Sequence, residues 1–424
     1  MDKNVKKRQD FSVPSQKTPV KNRLPQIPMR MYPEILNGVE MDDVWQSKNQ
    51  MVSSNNFPMQ LAHHLTPFLD KHVALRLLDH LISKTAYPIE EIEAAKQSLL
   101  LSPEAIQANL ERQEQLCSEL GLDLETLSSE EFSQDQSQKL LTNTNLTLEL
   151  SRIYYEQEQY ETALKLLTPL VARQNSYGDV LWGSYACALL SNSPQAVSLF
   201  NRTREHIEAE RRPASKTATL RATLLHWSLP LFVQDPSILI DLMFRFAKDS
   251  KYLSALANVS PFLVRWVLLV LTLLDVSEIH GKAQNILRLV QNCVGDSQLR
   301  VGDDPVVQFF QSLFDCHFIR AQQLLSTIKS IVENDYFLES RAQQIYENLV
   351  TLVLQMTMKV CMSVELKNVV EWSKLSESDC QRLITEAIIL TDCEFIFKDG
   401  VYVVEKEKLD FLEEVARNAG IFEC

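Results

Sequence analysis

The residues of this chain best suited to chemistry are four histidines, His63, His64, His72 and His80. Imidazole nitrogens bind zinc and transfer protons near neutral pH, so such a group could hold a metal ion or act as a general base. On a helix, however, His72 and His80 lie two turns apart, too far to share an ion without an intervening ligand. The spacing therefore favours partly exposed helix histidines over a metal site.

Cysteine is the second residue type that could do chemistry. The chain contains eight: Cys117, Cys187, Cys293, Cys316, Cys361, Cys380, Cys393 and Cys424. They are scattered and form no Cys-x-x-Cys pair, which is typical of reduced structural thiols in a cytosolic protein. Cys380 and Cys393 flank a predicted hairpin and could approach each other, but buried free thiols are the favoured interpretation. We expect a cytoplasmic protein.

Sequence motifs of the common enzyme and cofactor sites are absent. There is no phosphate-binding GxxxxGK[ST] or GxGxxG loop, no HExxH, no GxSxG and no aspartate-rich calcium loop. Only 9 of the 424 residues are glycine, which disfavours glycine-rich nucleotide-binding turns and multi-stranded β folds. We therefore predict no catalytic residues, no cofactor and no metal, and no enzyme activity.

Charge is distributed unevenly along the chain. The net charge is −13, yet residues 1–30 carry eight Lys/Arg and two Asp, a charge of +6, which leaves about −19 on the rest. An acidic body disfavours broad nucleic-acid binding. Residues 1–56 are basic and proline-rich, and we predict a disordered tail, with a contact to RNA left open. The most apolar run, residues 262–274, contains Arg265 and is too short to span a membrane.

The elements that position any site are predominantly helices. Residues 57–143 predict N-terminal helices, with a fresh helix start at Ser102-Pro103 and an acidic linker over 121–139. Residues 144–345 predict a helical-repeat solenoid. An Ala-x-x-Leu-Leu pattern at Ala163 returns 33 residues later at Ala196 and again at Ala321, and this offset is the period of a tetratricopeptide-like hairpin.

The character of the sequence changes near the C-terminus. Residues 346–405 predict a winged helix, with a short helix over 363–372, a longer one capped by Ser376, and two β-rich runs joined by Asp399-Gly400. Residues 406–424 predict a final amphipathic helix. The helix over 376–390 has a charge of −2, so it is ill suited to DNA, and the hairpin edge is the favoured protein-pairing element.

The residues assigned to a subunit interface follow from this interpretation. They are Glu394, Phe395, Ile396, Phe397, Val401, Tyr402 and Val403 on the hairpin, with Leu409 and Leu412 on the terminal helix. A stacking platform for RNA at Tyr154, Tyr155 and Trp182 is the alternative considered, but aromatic residues at repeat spacing are more often core.

A helical-repeat stack leading into a winged helix resembles the PCI domain. That domain is shared by the proteasome lid, the COP9 signalosome and eukaryotic translation initiation factor 3. Collinear segments within about residues 57–405 resemble the e-type subunits of the initiation factor. They are residues 62–81, 155–163, 180–183, 224–233 with its rare His226-Trp227-Ser228 triplet, 304–309, 332–338 and 361–364.

The resemblance implies a non-catalytic scaffold subunit that supports pre-initiation complex assembly on the small (40S) ribosomal subunit. It implies partners among the other subunits of the factor, of the c, d and l types, joined through hairpin edges and a bundle of terminal helices. The alternative is a scaffold subunit of the proteasome lid or the COP9 signalosome. The tail at 1–56 departs from the family pattern, and the region near 121–143 looks shorter than in the family.

Overall fold

The computed structural model describes residues 68–84, 89–123, 127, 132–172, 178–239, 262–274, 304–391 and 395–404. Several interpretations made from the sequence lie outside these residues. They concern the tail at 1–56, the helix at 406–424, His63, His64, Cys293, Cys393 and Cys424.

The described elements are mainly helices. The N-terminal part contains α1 (Lys71–Ser83), α2 (Ile89–Leu99), α3 (Pro103–Leu120), α4 (Gln134–Thr142), α5 (Thr144–Glu156), α6 (Tyr160–Ala172), α7 (Gly178–Leu190), α8 (Ala196–Ala209), α9 (Ala214–Trp227) and α10 (Leu229–Gln234). After these come α11 (Phe262–Leu271), α12 (Pro305–Phe314), α13 (Phe318–Asn334), a 3-10 turn (Glu339–Arg341) and α14 (Ala342–Cys361). The last elements are β1 (Ser363–Glu365), α15 (Leu366–Ser373), α16 (Glu377–Thr391), β2 (Phe395–Lys398) and β3 (Val401–Val404).

The middle of the chain is a stack in which each helix packs against its sequence neighbours. The series from α5 to α9 packs in order, as does the series from α12 to α14. The small residues of the repeat pattern, Ala163, Ala196 and Ala321, are all buried, which allows close helix crossings. Nearest-neighbour packing of helices is the hallmark of a solenoid, so the all-helical repeat fold with a terminal winged helix is confirmed.

The His226-Trp227-Ser228 triplet lies in the core, where the end of α9 meets neighbouring helices of the stack. Trp227 packs edge-on against Trp182 of α7, with ring centroids 5.0 Å apart. The Ser228 and Tyr185 hydroxyl oxygens lie 2.5 Å apart. Burial of Tyr154, Tyr155 and Trp182 to 5% exposure or less confirms them as core residues and removes the stacking-platform alternative.

Residues in and next to helix α1 contact parts of the stack that are distant from it in the sequence. Near its start, the buried Tyr155 hydroxyl donates to Asp70, which also caps α1 by accepting from the His72 amide at 2.9 Å. The Phe68 ring stacks on His226, with centroids 5.0 Å apart. Burial raises the pKa of Asp70 despite these donors.

The other end of α1 reaches residues far along the chain. His80 Nε2 donates to the Asn334 carbonyl oxygen at 3.2 Å, and Lys84 Nζ lies 2.5 Å from a Glu339 carboxylate oxygen. Residues 68–84, which we call the N-terminal brace, therefore connect Tyr155 of α5 to the end of α13 and the turn that precedes α14.

A buried ion pair joins α11 to α12. Arg265, 1% exposed within the apolar α11, places Nε 2.7 Å from Asp304 Oδ2. The other oxygen of Asp304 caps α12 by accepting from the Val306 amide at 2.9 Å. Asp335 lies beside the pair and accepts from the Trp266 indole at 2.7 Å, and burial raises its pKa. Three polar groups are thus satisfied within an apolar core.

The structure corrects three sequence interpretations. Residues 363–365 form strand β1 and not the start of a helix, because Val364 pairs with Tyr402. The region predicted as a polar linker to residue 139 contains α4, whose start carries a Ser133–Gln136 capping box. That box is a Ser-x-x-Gln signal that the sequence displays.

The third correction concerns His72, which is buried and not partly exposed. Its ring packs edge-on against Tyr155 and Tyr160, with centroids 4.6 and 5.4 Å away. Burial lowers its pKa, so the neutral imidazole is favoured.

His226 should make the stability of the fold depend on pH. It is fully buried, its Nδ1–H donates to the Ala222 carbonyl oxygen at 2.6 Å, and burial lowers its pKa from 6.5 to about 4. Between these values the unfolded chain binds a proton that the folded chain does not, so stability falls as the pH falls.

We expect His226→Phe, which keeps an aromatic ring against Phe68, to reduce this pH dependence. From pH 7 to pH 5 the wild type should lose about 2 kcal/mol more unfolding free energy than the variant. Urea unfolding of both proteins at the two pH values measures the difference. Parallel losses in the two proteins would contradict the assignment.

Candidate subunit interface

The winged-helix module holds the hairpin on a packed base. Helices α14, α15 and α16 pack together, and the Tyr346 hydroxyl donates to the Ser373 carbonyl oxygen at 2.6 Å across them. Ser376 caps α16 by accepting from the Asp379 amide at 3.1 Å, as the capping-box pattern predicts. The predicted boundary between residues 345 and 346 falls inside α14. The packing of these helices determines the orientation of the sheet relative to the rest of the module.

The turn between β2 and β3 has the geometry that its sequence predicts. Asp399 and Gly400 have φ values of 52° and 85°, both in the left-handed region. Positive φ at both central residues defines a type I′ turn, for which Asp-Gly is a preferred pair. The two-residue turn sets the strand register, in which Phe397 faces Tyr402 and Ile396 faces Val403.

The strand order of the sheet is β1-β3-β2. β3 is therefore paired on both sides, and Val401, Tyr402 and Val403 have no free backbone edge. The sequence interpretation assigned edge pairing to both runs of the hairpin. Of these two runs only β2 is an edge strand, so residues of β3 can reach a partner only through their side chains.

The hydrogen-bonding pattern identifies which groups of β2 face outward. The Val404 amide donates to the Met362 carbonyl oxygen at 3.0 Å, so Val404 and, two residues before it, Tyr402 direct their backbone groups towards β1. Val401 and Val403 consequently bond to β2, through the residues opposite them. Phe395 and Phe397 are left with their N–H and C=O groups on the outer side of β2.

The two faces of the sheet differ in burial. Val364 and Val404 are buried, whereas Phe397, on the same face but nearer the turn, is 52% exposed and contacts Tyr402 with ring centroids 4.6 Å apart. On the opposite face Ile396 is 51% and Val403 is 44% exposed, and the two residues are directly paired. The free edge of β2 is thus bordered by exposed apolar side chains, a combination suited to adding a strand from a partner.

Helix α16 lacks the free cations that a DNA-reading helix requires. Its one basic residue, Arg382, is 2.8 Å from a carboxylate oxygen of Glu347 and 3.1 Å from one of Glu386, with Asp379 at 3.8 Å. These ion pairs occupy the guanidinium with carboxylates of the same module. The geometry therefore favours a protein-binding role for this winged helix over groove recognition.

The structure brings together six of the nine predicted interface residues, which are Phe395, Ile396, Phe397, Val401, Tyr402 and Val403. Glu394, Leu409 and Leu412 lie outside the described residues. The sequence did not reveal β1, whose three residues show too little alternation to mark a strand. It also did not single out Ile389, which is 71% exposed on α16.

Histidine, cysteine and acidic residues do not assemble into a metal site in the described ranges. Cys187 and Cys380 are buried free thiols, and burial raises the pKa of both. In that same part of the chain, no helix combines the length and hydropathy required to cross a bilayer.

Several known proteins that share one name are similar to this chain. The chain is 25% identical over 374 residues to the E subunit of eukaryotic translation initiation factor 3 from Monosiga brevicollis, covering 77% of this chain and 76% of the relative. Proteins of the same name from Yarrowia lipolytica and Caenorhabditis elegans are 23% and 22% identical over 77% of this chain, covering 87% and 85% of their own lengths. No family model matches the chain.

Proposed function

We propose that this chain, a relative of the E subunits of eukaryotic translation initiation factor 3, is a scaffold component of that factor. The observation that carries the proposal is similarity at 22–25% identity along about 77% of the chain to proteins of that name from a choanoflagellate, a yeast and a nematode. The helical stack with a terminal winged helix fits this role, because a solenoid exposes long surfaces to partners. The similarity favours initiation factor 3 over the proteasome lid or the signalosome.

The proposed role is binding and not catalysis. Four of the side chains that could act as nucleophiles or bases are buried and used for packing, namely His72, His226, Cys187 and Cys380. Buried neutral imidazoles and high-pKa thiols are poorly suited to attack a substrate in solution. In this proposal the chain works in the cytoplasm and supports assembly of the pre-initiation complex on the small ribosomal subunit.

The proposed contact with a neighbouring subunit is the outer edge of β2. A strand from a c, d or l type subunit would accept from and donate to the outward backbone groups of Phe395 and Phe397. Ile396 and Val403 would add apolar area beside this ladder. Residues 406–424, with Leu409 and Leu412, are proposed to join a bundle of terminal helices.

Affinity purification tests the function directly. The full chain, tagged and expressed in cells of its own source, should recover other subunits of initiation factor 3 and small ribosomal subunits. Mass spectrometry identifies the recovered proteins. Recovery of proteasome-lid or signalosome subunits without initiation factor 3 would overturn the proposal.

The free edge of β2 gives a sharper prediction about assembly. Phe397→Pro removes an outward N–H donor without removing a hydrogen bond of the hairpin, whereas proline at Ile396 would break the hairpin itself. We expect Phe397→Pro to lower recovery of the partner subunits about tenfold, because one edge hydrogen bond and its alignment are lost.

Phe397→Val is the matched control, since it removes the ring but keeps the donor and a residue that favours strands. It should retain most of the partner recovery, and both variants should keep the helical circular-dichroism signal of the wild type. Loss of partners in both variants would assign the contact to the ring, and unchanged recovery in both would contradict a role for this edge.

A further inference from the structure

The N-terminal half of α3 is an exposed helix with an apolar stripe. None of its side chains from Pro103 to Glu111 is buried. Ile106 and Leu110, one turn apart on the same side, are 48% and 45% exposed. Together they form a small contiguous apolar surface that a partner segment could cover. We call Ile106 and Leu110 the α3 stripe.

The surroundings of the α3 stripe are strongly acidic. Residues 89–123 contain eight Asp/Glu and two Lys/Arg, a net charge of −6. Glu114 follows Leu110 by one turn on the line of the stripe and borders it directly. Glu104 and Glu111 are exposed on other sides of the same helix, where they add to its negative charge.

The two basic residues of this region are already used in ion pairs. Arg112 forms two hydrogen bonds to Glu149 of α5, at 2.8 and 3.0 Å. Lys96 pairs with Asp79 of α1. Because both basic residues of this region are paired, its net negative charge is available to attract a cationic ligand from outside the region.

We propose that the α3 stripe and its acidic border are the docking site of the chain's own basic N-terminal segment, residues 1–30. That segment carries a charge of +6 and interleaves its cations with apolar residues such as Val5, Phe11 and Val13. The positive charge of the segment is opposite to that of residues 89–123, and its apolar residues can cover the α3 stripe. An intramolecular contact of this kind goes beyond the scaffold role proposed above and does not depend on it.

The covalent connection makes even weak pairing effective. The described chain begins at Phe68, next to α1, and α1 packs against α2, which leads directly into α3. The 37 residues from 31 to 67 can span up to roughly 120 Å when extended, so residues 1–30 can reach α3. Because the segment and the site belong to one chain, their pairing is intramolecular, and a modest affinity suffices to hold them together.

Zero-length carbodiimide cross-linking of the full chain tests the docking. Amide links should form between the segment's lysines, which are Lys3, Lys6, Lys7, Lys17 and Lys21, and the carboxylates of α3, with Glu114 linked most and Glu104 and Glu111 less. Mass spectrometry of tryptic peptides locates them. Because the pairing is intramolecular and ionic, the link yield should be independent of protein concentration and should fall severalfold in about 1 M salt.

A paired substitution separates the α3 stripe from charge alone. Ile106→Gln with Leu110→Gln keeps every carboxylate and a helix-forming residue, and should lower the yield of these links about tenfold. Ile319→Gln is the matched control, since Ile319 is 73% exposed on α13, and it should leave the yield unchanged.

Other results of the cross-linking experiment would contradict the docking of residues 1–30 on α3. Links spread over carboxylates outside α3, or links that persist in the paired variant, would overturn the proposal. Links found only between two chains would assign the site to a second copy. Protection of the lysines only on addition of a short RNA would assign residues 1–30 to nucleic acid and not to α3.

Discussion

Replacing Arg265 by methionine should destabilise the protein by about 3–5 kcal/mol, the cost of leaving a buried carboxylate without its cation. Arg265 is 1% and Asp304 is 7% exposed, so water cannot replace the lost partner. Methionine occupies a similar volume without charge, which limits the effect of the changed packing. The shift of the urea unfolding midpoint, monitored by circular dichroism, measures the loss.

Two companion variants identify the cause of that loss. Arg265→Met combined with Asp304→Asn removes both charges, while asparagine still caps α12, so part of the lost stability should return. Arg382→Met breaks ion pairs of a side chain that is 45% exposed and should cost less than about 1 kcal/mol. If the double variant were no more stable than Arg265→Met alone, the assignment of the loss to the ion pair would be wrong.

Trp227→Ala should also cost about 3–5 kcal/mol, because it leaves a cavity at the crossing of α7 and α9. Trp227 is 1% exposed and packs edge-on against Trp182, which is itself 2% exposed. Partial collapse around alanine cannot restore both the aromatic contact and the buried area. Thermal and urea unfolding of the full chain provide the measurement.

Trp227→Phe should cost much less than the alanine variant. Phenylalanine keeps an aromatic ring at the crossing, and it removes an indole N–H that has no acceptor among the described residues. Loss of an unpaired buried donor offsets part of the lost area. Equal destabilisation by alanine and phenylalanine would show that the site responds to any change and not to the cavity.

Local features of the fold could be predicted from the sequence. The Ala163 and Ala321 patterns locate α6 and α13, because helix periodicity is carried by residues within one turn of each other. Asp399-Gly400 identifies the type I′ hairpin, since positive φ at two successive positions restricts the residues allowed there. Both signals are short in range and therefore readable from a single chain.

Contacts between distant residues could not be predicted in this way. The Asp70–Tyr155 hydrogen bond joins residues 85 apart, and nothing near Asp70 specifies its partner. The burial of His72 could not be predicted, because it depends on Tyr155 and Tyr160, which belong to a different pair of helices. The position of β2 at the edge of the sheet likewise depends on the pairing of β3 with β1, a strand that is distant in the sequence.

The N-terminal brace has a consequence for how the protein is made. His80 bonds to a residue 254 positions later, so the brace leaves the ribosome long before its final partner exists. At about 5–20 residues per second this interval is roughly 10–50 s, far longer than helix formation requires. During that time the end of α1 near His80 lacks the residues that it contacts in the folded chain. This contact can therefore form only late in synthesis, between the turn before α14 and a helix made near the beginning.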